Sequence, residues 1–468
     1  MTQDEMKEMV NDFIEKRVPE RNGSNTDREQ IKKIADGFPG MAVLLVEEYL
    51  KEQHIDVHTV DHVVKKLLKF EEGHESEQEI VMRSLSLFQP FPYRNEYKEA
   101  YRFIRNDEGI TPLYGKSPEE KRHLFSHTIN LYDNSLIEIT QSWLNVRPFP
   151  LAVWLVGKWF EDDPDEERMV GIVERIQALD KPLYTVVRDG LYKRLDYMQD
   201  SESAQDLIQR LAGEAHAPFC NEKVVCSDLG SRLFLAMSSV NPGAIASCLY
   251  RVLLPKGVAW AKDNIIKEIR RNLIWSLEKL CFSKESYQDG SKVLALLAAA
   301  ENETWGNNAT GQFKQLFHIM LPGTEATLQE RLETLHYLKI SGKEYEELAL
   351  ECFDRAFDNG SFVRDGSGAQ FGLQRKTDYM PKSNIEIVEY WEQCRDMLMS
   401  WLEEDKDILE RTAKLSTSHA FRWAYDGMLG RMLPLLNMIA DMKGGRWEEM
   451  YTALNKVNES RLSVYQQD

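Results

Sequence analysis

The pattern with the most chemical content in this 468-residue chain is Gly109-Ile110-Thr111-Pro112-Leu113-Tyr114-Gly115-Lys116-Ser117. A phosphate-binding loop places four residues between its glycines, follows them with Lys and Ser or Thr, and joins a buried strand to a helix. Here five residues intervene, Tyr101 to Glu108 reads as a charged helix, and Pro112 fixes a backbone angle inside the would-be cradle. A turn leading into a capped helix is expected instead. Gly366-Ser367-Gly368-Ala369-Gln370-Phe371-Gly372 echoes a dinucleotide loop but is one residue too long and lacks the strand and helix flanks. No cofactor is expected.

His54, His58 and His62 are four apart, and on one continuous helix they would align as metal ligands. Ile55-Asp56-Val57 reads as a break between helices, with Thr59 or Asp61 capping the next, which scatters the rings. His216, Cys220 and Cys226 lack the paired spacing of a structural zinc site, and His123 and His127 have no carboxylate in helical register. The six carboxylates from Glu161 to Glu167 surround Pro164. Asp163 as N-cap, Pro164 at N1 and three carboxylates after them are what a helix N-terminus favours. No metal site is expected, and no catalytic neighbourhood emerges from spacing, so the chain is not read as an enzyme. The six cysteines (Cys220, Cys226, Cys248, Cys281, Cys352, Cys394) mostly sit in apolar helical patterns and are expected to be reduced and buried.

The elements that would position any site are helical. Glycine and proline number 26 and 16, below average usage, and apolar residues recur every three or four positions. Thr26-Asp27-Arg28-Glu29 is a capping box whose helix ends at Gly37, and Pro39 can open a second helix, about 39 to 53, carrying Met41, Leu44, Leu45 and Glu48. From 75 to 147 a helix near 77–87, a tyrosine-rich helix, and a helix opened by Ser117-Pro118-Glu119-Glu120 precede Ser135 to Thr140, the one segment there that reads as a strand. Three helices closed by a short strand predict a winged-helix-like domain. Beyond 148, helices of about 12 to 20 residues separated by short breaks predict an α-solenoid or helical-repeat array. The expected class is all-α, with domains at 1–70, 71–147 and 148–468.

Composition narrows the function further. There are 58 Lys and Arg against 76 Asp and Glu, a net charge of −18, the wrong sign for a general nucleic-acid or anionic-membrane binder. The longest uncharged apolar stretches, Pro148 to Gly157 and Val293 to Ala300, are about half the length of a membrane span. MTQDEMKEMV has neither the basic start nor the apolar run of a signal peptide, so a cytoplasmic location is expected.

Ile34-Ala35-Asp36-Gly37-Phe38-Pro39-Gly40-Met41-Ala42-Val43-Leu44-Leu45 resembles the Gly-x-Pro-x-Ala-Leu corner of STAND-type NTPases of the NACHT and NB-ARC class. In that family the corner packs on the nucleotide site, which makes Pro39 the family-implied contact, and a winged helix and helical repeats follow it. Arg147 to Leu155 and Trp305 to Phe313 are similar to stretches of bacterial antiviral STAND proteins. No P-loop or acidic Walker B strand precedes residue 30, so the resemblance implies the regulatory and sensing half without ATPase activity. It also implies that oligomers form only with the missing nucleotide-binding domain.

The function expected from this reading is non-catalytic recognition of a protein ligand, a phage protein in the family. Asp358 to Ser383, with Gly360, Gly366, Gly368 and Gly372 and the cations Arg364, Arg375 and Lys376, is the expected partner-binding segment. A DNA-binding winged helix using Lys116, Lys121 and Arg122 is the alternative, as is a helical scaffold unrelated to defence. Nine basic against eleven acidic residues between 75 and 150 make nucleic acid a poor partner.

Overall fold

Local capping chemistry sets many of the helix starts in the computed structural model. It describes residues 3–18, 26–35, 38–52, 63, 64, 66, 68, 77–133, 135–162, 166–358, 370, 371 and 374–465. Ser117 takes the Glu120 N–H on its hydroxyl while the Glu120 carboxylate takes the Ser117 N–H, a complete capping box with Pro118 at N1. Thr327 and Glu330 form a second capping box, and Asn241 and Asn308 each cap a helix with a single bond, from the Ala244 and Gly311 N–H groups. The all-α class is borne out.

The chain divides into two compact units, Met1–Arg210 and Leu211–Asp468. The first begins with α1 (Gln3–Arg17), α2 (Thr26–Ala35) and α3 (Pro39–Glu52), packed on one another. Next come α4 (Glu77–Ser86), β1 (Phe91–Pro92), α5 (Lys98–Asn106), α6 (Pro118–Tyr132), β2 (Ile137–Thr140) and β3 (Trp143–Val146). The sequence suggested one strand here, but the structure has three in the order β1-β3-β2, all antiparallel, with Ile139 opposite Leu144 and Phe91 opposite the same residue. A two-residue strand carries no periodicity of its own, and Pro92 fits because β1 lies at the sheet edge. α7 (Phe149–Asp162), α8 (Glu166–Gln177), α9 (Lys181–Leu195) and α10 (Glu202–Ile208) complete the unit. The sequence reading starts the helical array at 148, yet α7 packs on α4 and β3 and buries Leu151, Leu155 and Val156.

The second unit runs through α11 (Glu222–Val225), α12 (Asp228–Met237), α13 (Pro242–Leu253), α14 (Gly257–Asn264), α15 (Lys267–Phe282), α16 (Tyr287–Ala299) and α17 (Ala309–Gln315). α18 (Leu328–Ile340), α19 (Glu346–Ala356), the strands β4 (Gln370–Phe371) and β5 (Gln374–Arg375), α20 (Asn384–Glu404), α21 (Leu409–Tyr425), α22 (Leu429–Met442) and α23 (Glu448–Tyr465) follow. Each helix from α12 onward packs chiefly on helices one to three places away in sequence. α16 is apolar around most of its circumference, with Val293 to Leu297 fully buried among α13, α15, α17 and α18. A helix of that composition belongs in a core. Among the described residues no helix is long and apolar enough to cross a membrane.

Candidate functional site

The phosphate-loop echo is a structural turn. Gly115 adopts a φ of 75°, Ser117 starts α6, and Lys116 pairs with Glu77 at 2.6 Å. Lys121 is buried, its amine 3.5 Å from the Asn106 carbonyl and 3.8 Å from Glu108. Of the three cations proposed for DNA contact, Lys121 is thus withdrawn into the protein and Lys116 is held in an ion pair at its surface. His123, His127 and His216 are exposed and separate, while His54, His58 and His62 lie outside the described residues. Asp163 and Pro164 also lie outside them, and flanking carboxylates are spread: Asp162 pairs with Arg83, Glu161 with Lys158 at 2.7 Å. Among the described residues no three His, Cys, Asp or Glu side chains converge on a metal-sized site. Trp159 is core, donating its indole N–H to the Ile110 carbonyl at 2.8 Å; Trp154 is half-buried, with the Lys158 amine 5.5 Å above its ring.

Pro39 opens α3 and is half-buried, and the turn before it closes through the Phe38 N–H on the Ala35 carbonyl at 2.7 Å. Gly37 lies outside the described residues. Glu48, buried one face along, takes hydrogen bonds from Lys66 at 2.7 Å and Lys51 at 2.9 Å. Those bonds, Lys66 first, hold its carboxyl down at about 2 against the opposing effect of burial.

The Trp305 to Phe313 motif is built around Glu301. One carboxylate oxygen accepts from Arg270 at 2.9 Å, from Asn302 N at 3.1 Å and from Glu303 N at 3.2 Å. The other accepts from Thr310 N at 3.0 Å and Thr310 Oγ1 at 3.2 Å. Asn308 caps a helix that starts at Ala309 and ends at Gln315. These residues shape a loop.

The segment read as partner-binding contains a small hairpin and a tether. Gln370 pairs with Arg375 and Phe371 with Gln374. Arg364 lies outside the described residues, as does the Arg375 side chain, and so does most of the glycine run. Lys376 is half-buried and donates to Ser283 Oγ at 2.7 Å, with Glu325 at 3.4 Å, so its charge fastens the segment. Two residues on, Asp378 accepts the Gly323 N–H at 2.6 Å, and the Tyr379 N–H donates to the Thr324 carbonyl at 2.8 Å. The Tyr379 hydroxyl bonds Glu386, and burial followed by that carboxylate pushes its pKa up to about 12.

Under the tether lies Arg331, fully buried, its guanidinium 5.6 Å from the Tyr379 ring. It donates to the His318 carbonyl at 2.8 Å and the Ala326 carbonyl at 3.0 Å, tying the 318–326 turn to α18. Burial lowers its affinity for the proton. Within three residues in sequence of the bonded Gly323, Tyr379 and Glu386, four large apolar side chains are exposed: Met320 at 39%, Leu321 at 44%, Met380 at 50% and Ile385 at 68%. Leu321 has a φ of 52°, a left-handed conformation that is unusual for a bulky residue. Sequence reasoning missed all four, because Pro322-Gly323 registers only as a break and nothing local joins it to residues 378–386.

No family model matches the chain, and neither does any curated protein or solved structure.

Proposed function

We propose that this chain is a non-catalytic recognition module whose protein ligand docks on the tethered surface formed by residues 318–323 and 376–386. The observation that carries the reading is the group of exposed apolar side chains, Met320, Leu321, Met380 and Ile385, around a segment fastened at Gly323, Thr324 and Ser283. Exposed apolar residues gathered at one place mark interaction surfaces, and methionines adapt to an irregular partner. The adjacent hairpin would extend the contact, with Arg364 and Arg375 steering an acidic ligand toward a chain of net charge −18.

On the three resembling segments, the module is the regulatory and sensing half of a cytoplasmic STAND-type antiviral protein. The helix-strand-helix-helix-strand-strand region from α4 to β3 is its winged-helix hinge, the serially packed helices of the second unit are its solenoid sensor, and the ligand is a phage protein. The test is affinity purification from phage-infected cells with wild type and with Leu321→Asp/Ile385→Asp. A phage protein retained by wild type and lost by the variant at unchanged melting temperature supports the reading. Equal retention by both, or retention of no phage protein, defeats it.

A further inference from the structure

Cys220 and Cys248 lie against one another in the second unit. The Cys220 Sγ is 4.0 Å from the Cys248 carbonyl, and the Cys248 Sγ is 3.8 Å from the carbonyl of Phe219, the peptide that leads into Cys220. The approach is built by the backbone: the Phe219 N–H donates to the Leu211 carbonyl and the Cys220 N–H to the Ala217 carbonyl, both at 2.9 Å. Cys248 is fully buried on α13, whereas Cys220 is half-buried just ahead of α11. Arg251, one turn beyond Cys248, is fixed by hydrogen bonds at 2.9 Å to the carbonyls of Ala212 and Gly213, at the end of the π-helical turn Gln209–Gly213. Single π-helical turns are frequent at functional sites.

The two sulfurs are chemically unequal. The hydrogen bond from the Cys248 thiol, and after it the Arg251 cation, lower the Cys220 thiol against the opposing effect of burial. The Cys248 thiol is pushed up by Cys220 and by burial. Arg251 is the charge that bears on Cys220, because Glu222 of α11 is drawn to Lys256 at 2.5 Å and His216 is exposed on the preceding loop. The remaining thiols are quenched: burial raises Cys226 to about 11 and pushes Cys281, Cys352 and Cys394 up as well. Thiolate character plus access is what makes a cysteine reactive. The sequence expectation of reduced, buried thiols is corrected in burial at Cys220 and Cys226, which are half-buried, while the other four are buried.

We propose that Cys220 and Cys248 are a peroxide-responsive pair that closes reversibly into a disulfide. The Cys220 thiolate attacks one oxygen of a hydroperoxide, an S–O bond forms, the O–O bond breaks, and the departing hydroxide is protonated to water. The resulting sulfenic acid is attacked by the Cys248 sulfur: the S–S bond forms, the S–O bond breaks, and the hydroxyl leaves as water with the Cys248 proton. Two thiols and one hydrogen peroxide give one disulfide and two waters, and a dithiol reductant reverses the change. The bond ties the loop before α11 to α13.

The test treats the full chain with one equivalent of hydrogen peroxide near neutral pH and maps non-reduced peptides by mass spectrometry. The expected product is a Cys220–Cys248 cross-link that dithiothreitol removes. Cys248→Ser should instead accumulate a dimedone-reactive sulfenic acid at Cys220, and Cys220→Ser should leave Cys248 unoxidised. Should either variant fail to fold, competitive alkylation of the folded wild type by iodoacetamide decides: Cys220 should react at least tenfold faster than Cys226. Comparable alkylation of the two, or peroxide oxidation of Cys220 that stops at sulfinic acid without a cross-link, overturns the proposal.

Discussion

Replacing Glu301 by glutamine should destabilise the second unit by about 4 kcal/mol. Glu301 is 19% exposed at its side chain and faces Arg270, whose side chain is 0% exposed. Besides Glu301, that guanidinium donates to the Leu297 carbonyl at 2.8 Å, while its Nε and Nη1 meet no partner among the described residues. An amide has one acceptor oxygen where the carboxylate has two. Whichever way it turns, it presents an NH2 either to Arg270 and two backbone N–H groups or to Thr310, and it leaves a buried cation without its counter-charge. Removing one member of a buried ion pair costs ~3–5 kcal/mol, and each stranded buried donor adds ~1 kcal/mol or more. The partial exposure of Glu301 sets the expectation in the middle of that range. Urea unfolding of the full chain followed by far-UV circular dichroism gives the free energy of the second unit, and amide exchange across residues 301–315 localises the loss. A cost below about 1 kcal/mol, with exchange in that loop unchanged, would refute the assignment of Glu301 as the hub.

Three further outcomes are expected. Glu48 has a folded pKa depressed from 4.5 to about 2, so its stabilisation is complete above 4.5 and is lost as pH falls toward 2. Amide protection across residues 39–52, corrected for intrinsic exchange, should fall through that window in wild type and stay flat in Glu48→Gln. Gly230→Ala would place a Cβ 1.8 Å from the Val224 carbonyl oxygen, so a loss of about 3 kcal/mol is expected by thermal unfolding, since backbone must move. Ser117→Ala removes the hydroxyl half of the α6 capping box and should cost about 1 kcal/mol in chemical denaturation.

Much of the fold was legible because helix termini are decided within four residues. Ser117-Pro118-Glu119-Glu120 carries its own cap, Pro39 its own start, and Asn308 its own bond to the Gly311 N–H at 2.9 Å. The apolar run Val293 to Ala300 was readable as too short for a membrane and found its place at the centre of the second unit. The strand Ile137–Thr140 was legible from its alternation and its three β-branched residues, whereas β1, two residues long, and β3, whose Trp143-Leu144-Asn145-Val146 holds one β-branched residue, were not. The candidate site was legible as a segment and not as a surface: Asp358 to Ser383 could be singled out for its length and glycines, but Lys376 turned inward to residues 51 and 93 positions away. The hub at Glu301, the thiol pair spanning 28 positions, the burial of Lys121 and the apolar residues around Leu321 are likewise products of tertiary packing. Side-chain burial and pairing between distant residues depend on which helices meet, and periodicity records that each helix has an apolar face without recording what covers it.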